Sequence, residues 1–165
     1  MRTVNALGLA SLALLIAIGV YLLPLEPNLV ALQFTFSEAS FAAVTGKWNA
    51  SGVALLRSHF AADFALLALY ASFGFLLGRR WPKAGLAGGR WQWLLQWSLP
   101  VAALADAVEN VLHLHLTSGA AVAWQWWYPL AGMAASTKWL GILVFAIAAL
   151  VCGCKRAGTE GAWPK

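Results

Sequence analysis

The sequence predicts an all-α membrane protein: a bundle of four transmembrane helices, with a short amphipathic helix on the outer surface between the first and second. Three observations carry this expectation. The 165-residue chain is 61% hydrophobic and only 10% charged, whereas a soluble domain has roughly a quarter of its residues charged. No soluble core of this length hides so much apolar surface. The apolar residues divide into four runs of the roughly 20 residues that a bilayer crossing requires. The formal charge of +5 is gathered in short clusters at the ends of these runs. That arrangement marks topology and does not supply the basic stripe that nucleic acid needs.

The whole chain, 1–165, reads as a single membrane domain with spans near 4–23, 53–78, 93–116 and 129–151, an outer loop at 24–52 and a cytoplasmic loop at 79–92. The first run, Val4 to Leu23, is preceded by Arg2 and followed by Pro24, an outline that mimics a secretory signal. No small-x-small cleavage site follows, so it is read as a retained span. Between Leu25 and Gly52 polar residues interrupt the pattern, placing this segment outside the membrane core. Within it Leu32, Phe34 and Phe36 alternate with Gln33 and Thr35, as an extended piece would. Ser37 is placed to cap a short helix bearing Phe41, Val44 and Trp48 at helical spacing. Such a piece lies on the membrane surface, either as a connector or as a lid.

The second run ends in Arg79, Arg80 and Lys83, and Arg90 closes the same loop, which contains no acidic residue. The positive-inside rule puts that loop in the cytoplasm. Thr117 to Tyr128 is uncharged and falls outside, and the fourth run returns to Lys155 and Arg156. Both termini are therefore expected on the cytoplasmic face. Cys152 and Cys154 beside them should stay reduced, with neither a disulfide nor a metal site. Trp48, Trp81, Trp91, Trp93, Trp124, Trp126 and Trp127 fall near run ends and read as interfacial belts.

Charges inside spans cost at least a few kcal/mol each unless paired or hydrated, yet three of the four runs contain them. His59, Asp63 and Tyr70 lie at offsets of four and seven, on one face of the second helix. Asp106, Glu109, Asn110 and His113 form a similar stripe on the third. His115 points away from it. Arg57 is placed to snorkel toward the headgroups. Lys138 is the lone charge of the fourth run, among Ala131, Ala134, Ala135 and Gly141, small residues that permit close helix approach. At a rise of about 1.5 Å per residue, Asp63, Asp106 and Lys138 lie roughly 14–16 Å from the outer ends, with Glu109 and His59 nearer about 10 Å. One layer in the outer half of the bilayer can hold all five. Lys138 offsets only one of three carboxylates, so a shared proton or a bound cation must supply the remaining balance.

This constellation leads to a site that binds or chemically converts a lipid-soluble substrate by acid–base chemistry. His59, Asp63, Asp106, Glu109 and Lys138 are the candidate catalytic residues, and Arg57, Tyr70, Asn110 and His113 the candidate ligand-binding ones. Whether catalysis occurs at all is left open. A proton- or cation-coupled transporter uses the same residue types, although no inverted repeat is present and only Ser11 and Gln96 continue the polar path inward. A non-catalytic assembly or structural subunit, in which the polar network sets helix register, is a further reading. No metal is expected, because the paired Glu-x-x-His pattern of di-iron bundles is missing. His59 and His113 leave haem open, and the cofactor is unknown. The expected partners are membrane lipid and a lipid-soluble small molecule, with a second copy or another membrane subunit open and no nucleic acid.

The run Leu32-Gln33-Phe34-Thr35-Phe36-Ser37 with Phe41 and Trp48, then Arg57-Ser58-His59 with Asp63 and Tyr70, then Asp106-Ala107-Val108-Glu109-Asn110 and Lys138, resembles a group of small, uncharacterised bacterial four-helix integral membrane proteins. The resemblance implies a bacterial inner-membrane setting and adds weight to the Asp-x-x-Glu-Asn stretch. It supplies no substrate, cofactor or residue role.

Overall fold

A computed structural model of the chain describes residues 2–81, 88–119 and 124–160, with side chains as far as residue 153. Every regular element among them is helical: α1 (Arg2–Tyr21), α2 (Leu29–Gln33), α3 (Glu38–Thr45), α4 (Ala50–Arg80), α5 (Gly88–Leu116) and α6 (Trp127–Glu160). Three helical stretches, Arg2–Tyr21, Ala50–Arg80 and Trp127–Gly153, are long and apolar enough to cross a membrane. α5 is of similar length but carries Asp106, Glu109, Asn110, His113 and His115 within three turns. Lys83 of the basic loop, and the side chains of Cys154, Lys155 and Arg156, lie outside the described residues.

Helix ends are set by local chemistry. Asn49 accepts from the Gly52 N–H at 2.9 Å and starts α4. At the other end of α4 the Gln92 amide donates to the carbonyls of Gly78 and Trp81 at 3.0 and 3.3 Å, which satisfies acceptors the helix cannot. Ser37 caps α3 as its sequence suggests, accepting from the Ser40 N–H at 3.2 Å while the Ser40 hydroxyl accepts from the Ser37 N–H. Of the extended piece expected around Leu32 to Phe36, Leu32 and Gln33 belong to the short helix α2, Phe34 is a turn, and Thr35 and Phe36 are irregular. Asn28 accepts from the Ala31 N–H at 3.1 Å and so nucleates a turn. No strand lies among the described residues to pair an extended alternative.

The long helices pack in the order α1, α4, α5, α6, and α5 lies along both α4 and α6. The Tyr21 hydroxyl meets Ser58 at 2.8 Å and ties α1 to α4. α5 and α6 approach closely at Gly141, where a Cβ would stand 2.9 Å from that of Ala102 and 3.0 Å from the Ser98 carbonyl. Two apolar clusters result. One, at the end covered by α2 and α3, gathers Ile18, Leu25, Leu32, Phe41, Trp48, Leu56, Phe60 and Tyr128. The segment between the first two long helices thus contributes to a core. Trp48 is part of it, and its indole N–H donates to the Pro27 carbonyl at 2.8 Å, so it is no belt residue. Trp93, Trp124 and Trp126 remain exposed. The second cluster, at the far end, joins Leu95, Ala148 and Cys152.

On α5 the exposed positions from Trp93 onward are Trp97, Val101, Leu104, Val108 and Val111, an apolar stripe that ends at the exposed His115. The buried face of the same helix includes Ser98, Asp106, Glu109, Asn110 and His113. This polarity is inverted relative to a helix on the surface of a soluble protein. Filling the α5–α6 contact should be costly. Gly141→Val is expected to destabilise by about 1–3 kcal/mol through overpacking, read as a lower unfolding temperature in detergent micelles.

Candidate functional site

The polar stripes of α4, α5 and α6 meet between the two apolar clusters. Lys138 of α6 projects between two α5 carboxylates, with Nζ 3.0 Å from Asp106 Oδ1 and 2.6 Å from Glu109 Oε2. The first contact is a hydrogen bond. The second is an ion pair whose alignment is not that of a hydrogen bond. All three side chains are at least nine-tenths buried. The four-residue step of α5 from Glu109 to His113 brings the imidazole Nδ1 to 3.7 Å from Glu109 Oε1. From α4, Tyr70 donates its hydroxyl to Asp106 Oδ2 at 3.2 Å. His113, Glu109, Lys138, Asp106 and Tyr70 therefore form one line of polar groups crossing three helices.

Asp63 stands beside this line. Its Oδ2 accepts from the Asn110 amide at 2.5 Å. His59 is buried against Phe60, with ring centroids 4.4 Å apart. Its Nδ1 bonds the Leu56 carbonyl one turn back. A carbonyl only accepts, so Nδ1 is the donor of this bond.

Of the candidate residues, Asp106, Glu109, Lys138, Tyr70 and His113 come together directly, and Asp63 pairs with Asn110. Arg57 behaves differently from the expectation of snorkelling. Its Nη1 donates to the Leu114 carbonyl at 2.7 Å and to the Thr117 hydroxyl at 3.1 Å. It thereby neutralises the carbonyl end of α5, where a cation is favoured by the helix dipole. His115 faces away from the network, as its position predicts, and meets Trp127 edge-on at 4.1 Å. Ser11 spans no polar path: its hydroxyl donates to the Leu7 carbonyl of its own helix at 2.7 Å.

His113 is the least satisfied member. It is 1% exposed, and neither ring nitrogen has a hydrogen-bond partner. Phe41 of α3 covers it, with ring centroids 6.0 Å apart, and Phe41 in turn meets Tyr128 of α6 edge-on at 5.5 Å. Two residues of this cover escaped sequence reasoning. The Trp139 indole donates to Gln33 Oε1 at 3.1 Å, pinning α2 to α6. The available signal was chemical: an indole N–H in mid-span needs an acceptor, and Gln33 is a polar residue inside an apolar stretch. Their separation of 106 residues hid the pairing.

Among the described residues no group of three or more His, Cys, Asp or Glu side chains is placed to hold a metal ion. No family model matches the chain, and neither a curated protein nor a solved structure matches it.

The lysine is expected to hold the network together. Lys138→Met leaves two carboxylates buried without a counter-charge and should cost about 3–5 kcal/mol, the penalty for breaking a buried pair from one side. Adding Asp106→Asn and Glu109→Gln to that variant should recover most of the loss. Unfolding temperatures of the single and triple variants in detergent measure both effects.

Proposed function

We propose that this is a four-span membrane protein that binds, and chemically converts by acid–base chemistry, a lipid-soluble substrate within the membrane. On this reading α5 is the fourth span, the α2–α3 segment lies at the outer surface of a bacterial inner membrane, and both termini are cytoplasmic. The inverted polarity of α5 supports the span: its apolar stripe suits lipid contact, while its charges are enclosed by α4 and α6. The basic residues Arg79, Arg80 and Arg90 all belong to the end away from α2 and α3.

The single observation that carries the functional reading is the line from His113 through Glu109, Lys138 and Asp106 to Tyr70. Register between helices needs only an amide or a hydroxyl, whereas this line holds proton donors and acceptors in sequence. Asp106, Glu109 and the two histidines take and return protons, and Asp63 adds a carboxylate at the margin. Lys138 keeps the carboxylates in place and stabilises negative charge that develops beside them. Asn110 and Tyr70 orient Asp63 and Asp106 through the hydrogen bonds already described.

Transport is the competing reading. A through-path requires polar groups beyond Asp106, but the buried residues there are Ala102, Ala103, Leu99 and Leu95, with Ser98 bonded to the Leu94 carbonyl of its own helix. A site closed at one end fits binding and conversion better than passage.

The test is native mass spectrometry of wild type and Asp106→Asn extracted gently from their own membrane, with lipid and metal analysis. A specific lipid-soluble molecule should accompany the wild type and be lost from the variant. Nothing bound to either, with the variant less stable, would make the network a structural one. Topology has its own check. In a background with Cys152 and Cys154 replaced by Ser, Gly89→Cys and Ser118→Cys should react with a membrane-impermeant maleimide from opposite faces. Labelling of both from one face would remove α5 as a span.

A further inference from the structure

Charge accounting around the network narrows what the site can recognise, an inference that rests on the reading of a ligand site just given. Three cations lie in or near the end covered by α2 and α3. Lys138 is held between Asp106 and Glu109. Arg57 is engaged with the carbonyl end of α5. Lys47 is exposed on the segment after α3, away from the buried line. An anionic headgroup entering the site finds no uncommitted cation, and it meets Glu109, Asp106 and Asp63. A cationic headgroup is opposed by Lys138 at the centre of the line, and Asp63, the one carboxylate Lys138 does not pair, is already held by the Asn110 amide. Burying either sign of charge without a partner is unfavourable.

The unpartnered group is instead the His113 imidazole, which in its neutral form has one donor and one acceptor nitrogen. Both nitrogens are buried without a hydrogen bond, Nδ1 having only the longer 3.7 Å contact to Glu109 Oε1, an arrangement that is costly for groups taken out of water. A hydroxyl oxygen pairs with either nitrogen, and a carbonyl oxygen accepts from the N–H. Around the imidazole stand apolar surfaces, Phe41 and beyond it Tyr128, which suit a hydrocarbon body and not a hydrated head. We propose that His113 is the headgroup-recognition residue of this site and that its ligand is an uncharged amphiphile bearing a hydroxyl or carbonyl oxygen. Phe41 is the cover that α3 must displace to admit it. The cover is seated tightly: on α6 a Cβ at Gly132 would stand 2.7 Å from the Phe36 ring and 2.8 Å from the Thr35 carbonyl, so the residues between α2 and α3 rest on bare helix.

The probes are dodecanol, a methyl ketone of the same length, dodecanoate and dodecylamine, titrated into the full chain in nanodiscs. The imidazole nitrogens, labelled with nitrogen-15, are followed by NMR and assigned with His59→Phe, His115→Phe and His113→Phe. The alcohol and the ketone should shift the His113 resonances, at affinities at least about tenfold above those of the carboxylate and the amine. Phe41→Ala should tighten the alcohol severalfold, since the ring no longer has to be displaced. Unchanged or weaker binding by that variant would overturn the role of Phe41 as cover. Equal or tighter binding of dodecanoate or dodecylamine would overturn the assignment of an uncharged head, as would His113 resonances that respond to no probe. If a native molecule is nonetheless lost in Asp106→Asn, the ligand site stands and only the present inference fails. If no native molecule is found either, both readings fail together.

Discussion

A lysine ammonium buried among helices has to find its counter-charge inside the protein, because neither hydrocarbon nor packed side chains can replace the water it has left. Lys138 meets that requirement with two carboxylates on a single helix, Asp106 and Glu109, one turn apart. The demand determines how α6 can lie on α5. Sliding one helix by a residue breaks both contacts, and rotating it exposes the charges. Gly141 and Ala102 allow the backbones to approach closely enough for the ammonium to reach both carboxylates. Small side chains and a buried charge thus serve one packing arrangement.

The same constraint reverses the usual distribution of polarity. α5 presents Trp97, Val101, Leu104, Val108 and Val111 outward and keeps Asp106, Glu109 and His113 within. α4 supplies the remaining partners: Tyr70 for Asp106, Asp63 for Asn110, and Arg57 for the terminal carbonyls of α5. Each pairing satisfies a group that low-dielectric surroundings would otherwise penalise. The apolar clusters at either end then enclose the network. The polar line is thus bounded by apolar packing on both sides, and the His113 imidazole, which makes no hydrogen bond, is where it departs from full satisfaction.

The cover built from α2 and α3 gives the departure its meaning. It places Phe41 over His113, pins α2 to α6 through Gln33 and Trp139, and holds Trp48 inside by its bond to Pro27. The tether to α6 is partly buried, and the segment lies over the imidazole at the covered end.

Much of this was legible in the chain itself. Four long helices, the Ser37 cap of α3, the shared face of Asp106, Glu109 and His113, and the meeting of that face with Lys138 all follow from periodicity, rise per residue and the cost of charge in an apolar segment. These are local or one-dimensional properties, and they survive whatever the helices pack against. Tertiary structure alone decided the partners. Arg57 bonds the end of α5, α2 takes up Leu32 and Gln33, Trp48 left the interface for the core, and Gln33 met Trp139. Each depends on which surface a distant segment offers, and no spacing within a single segment encodes that choice.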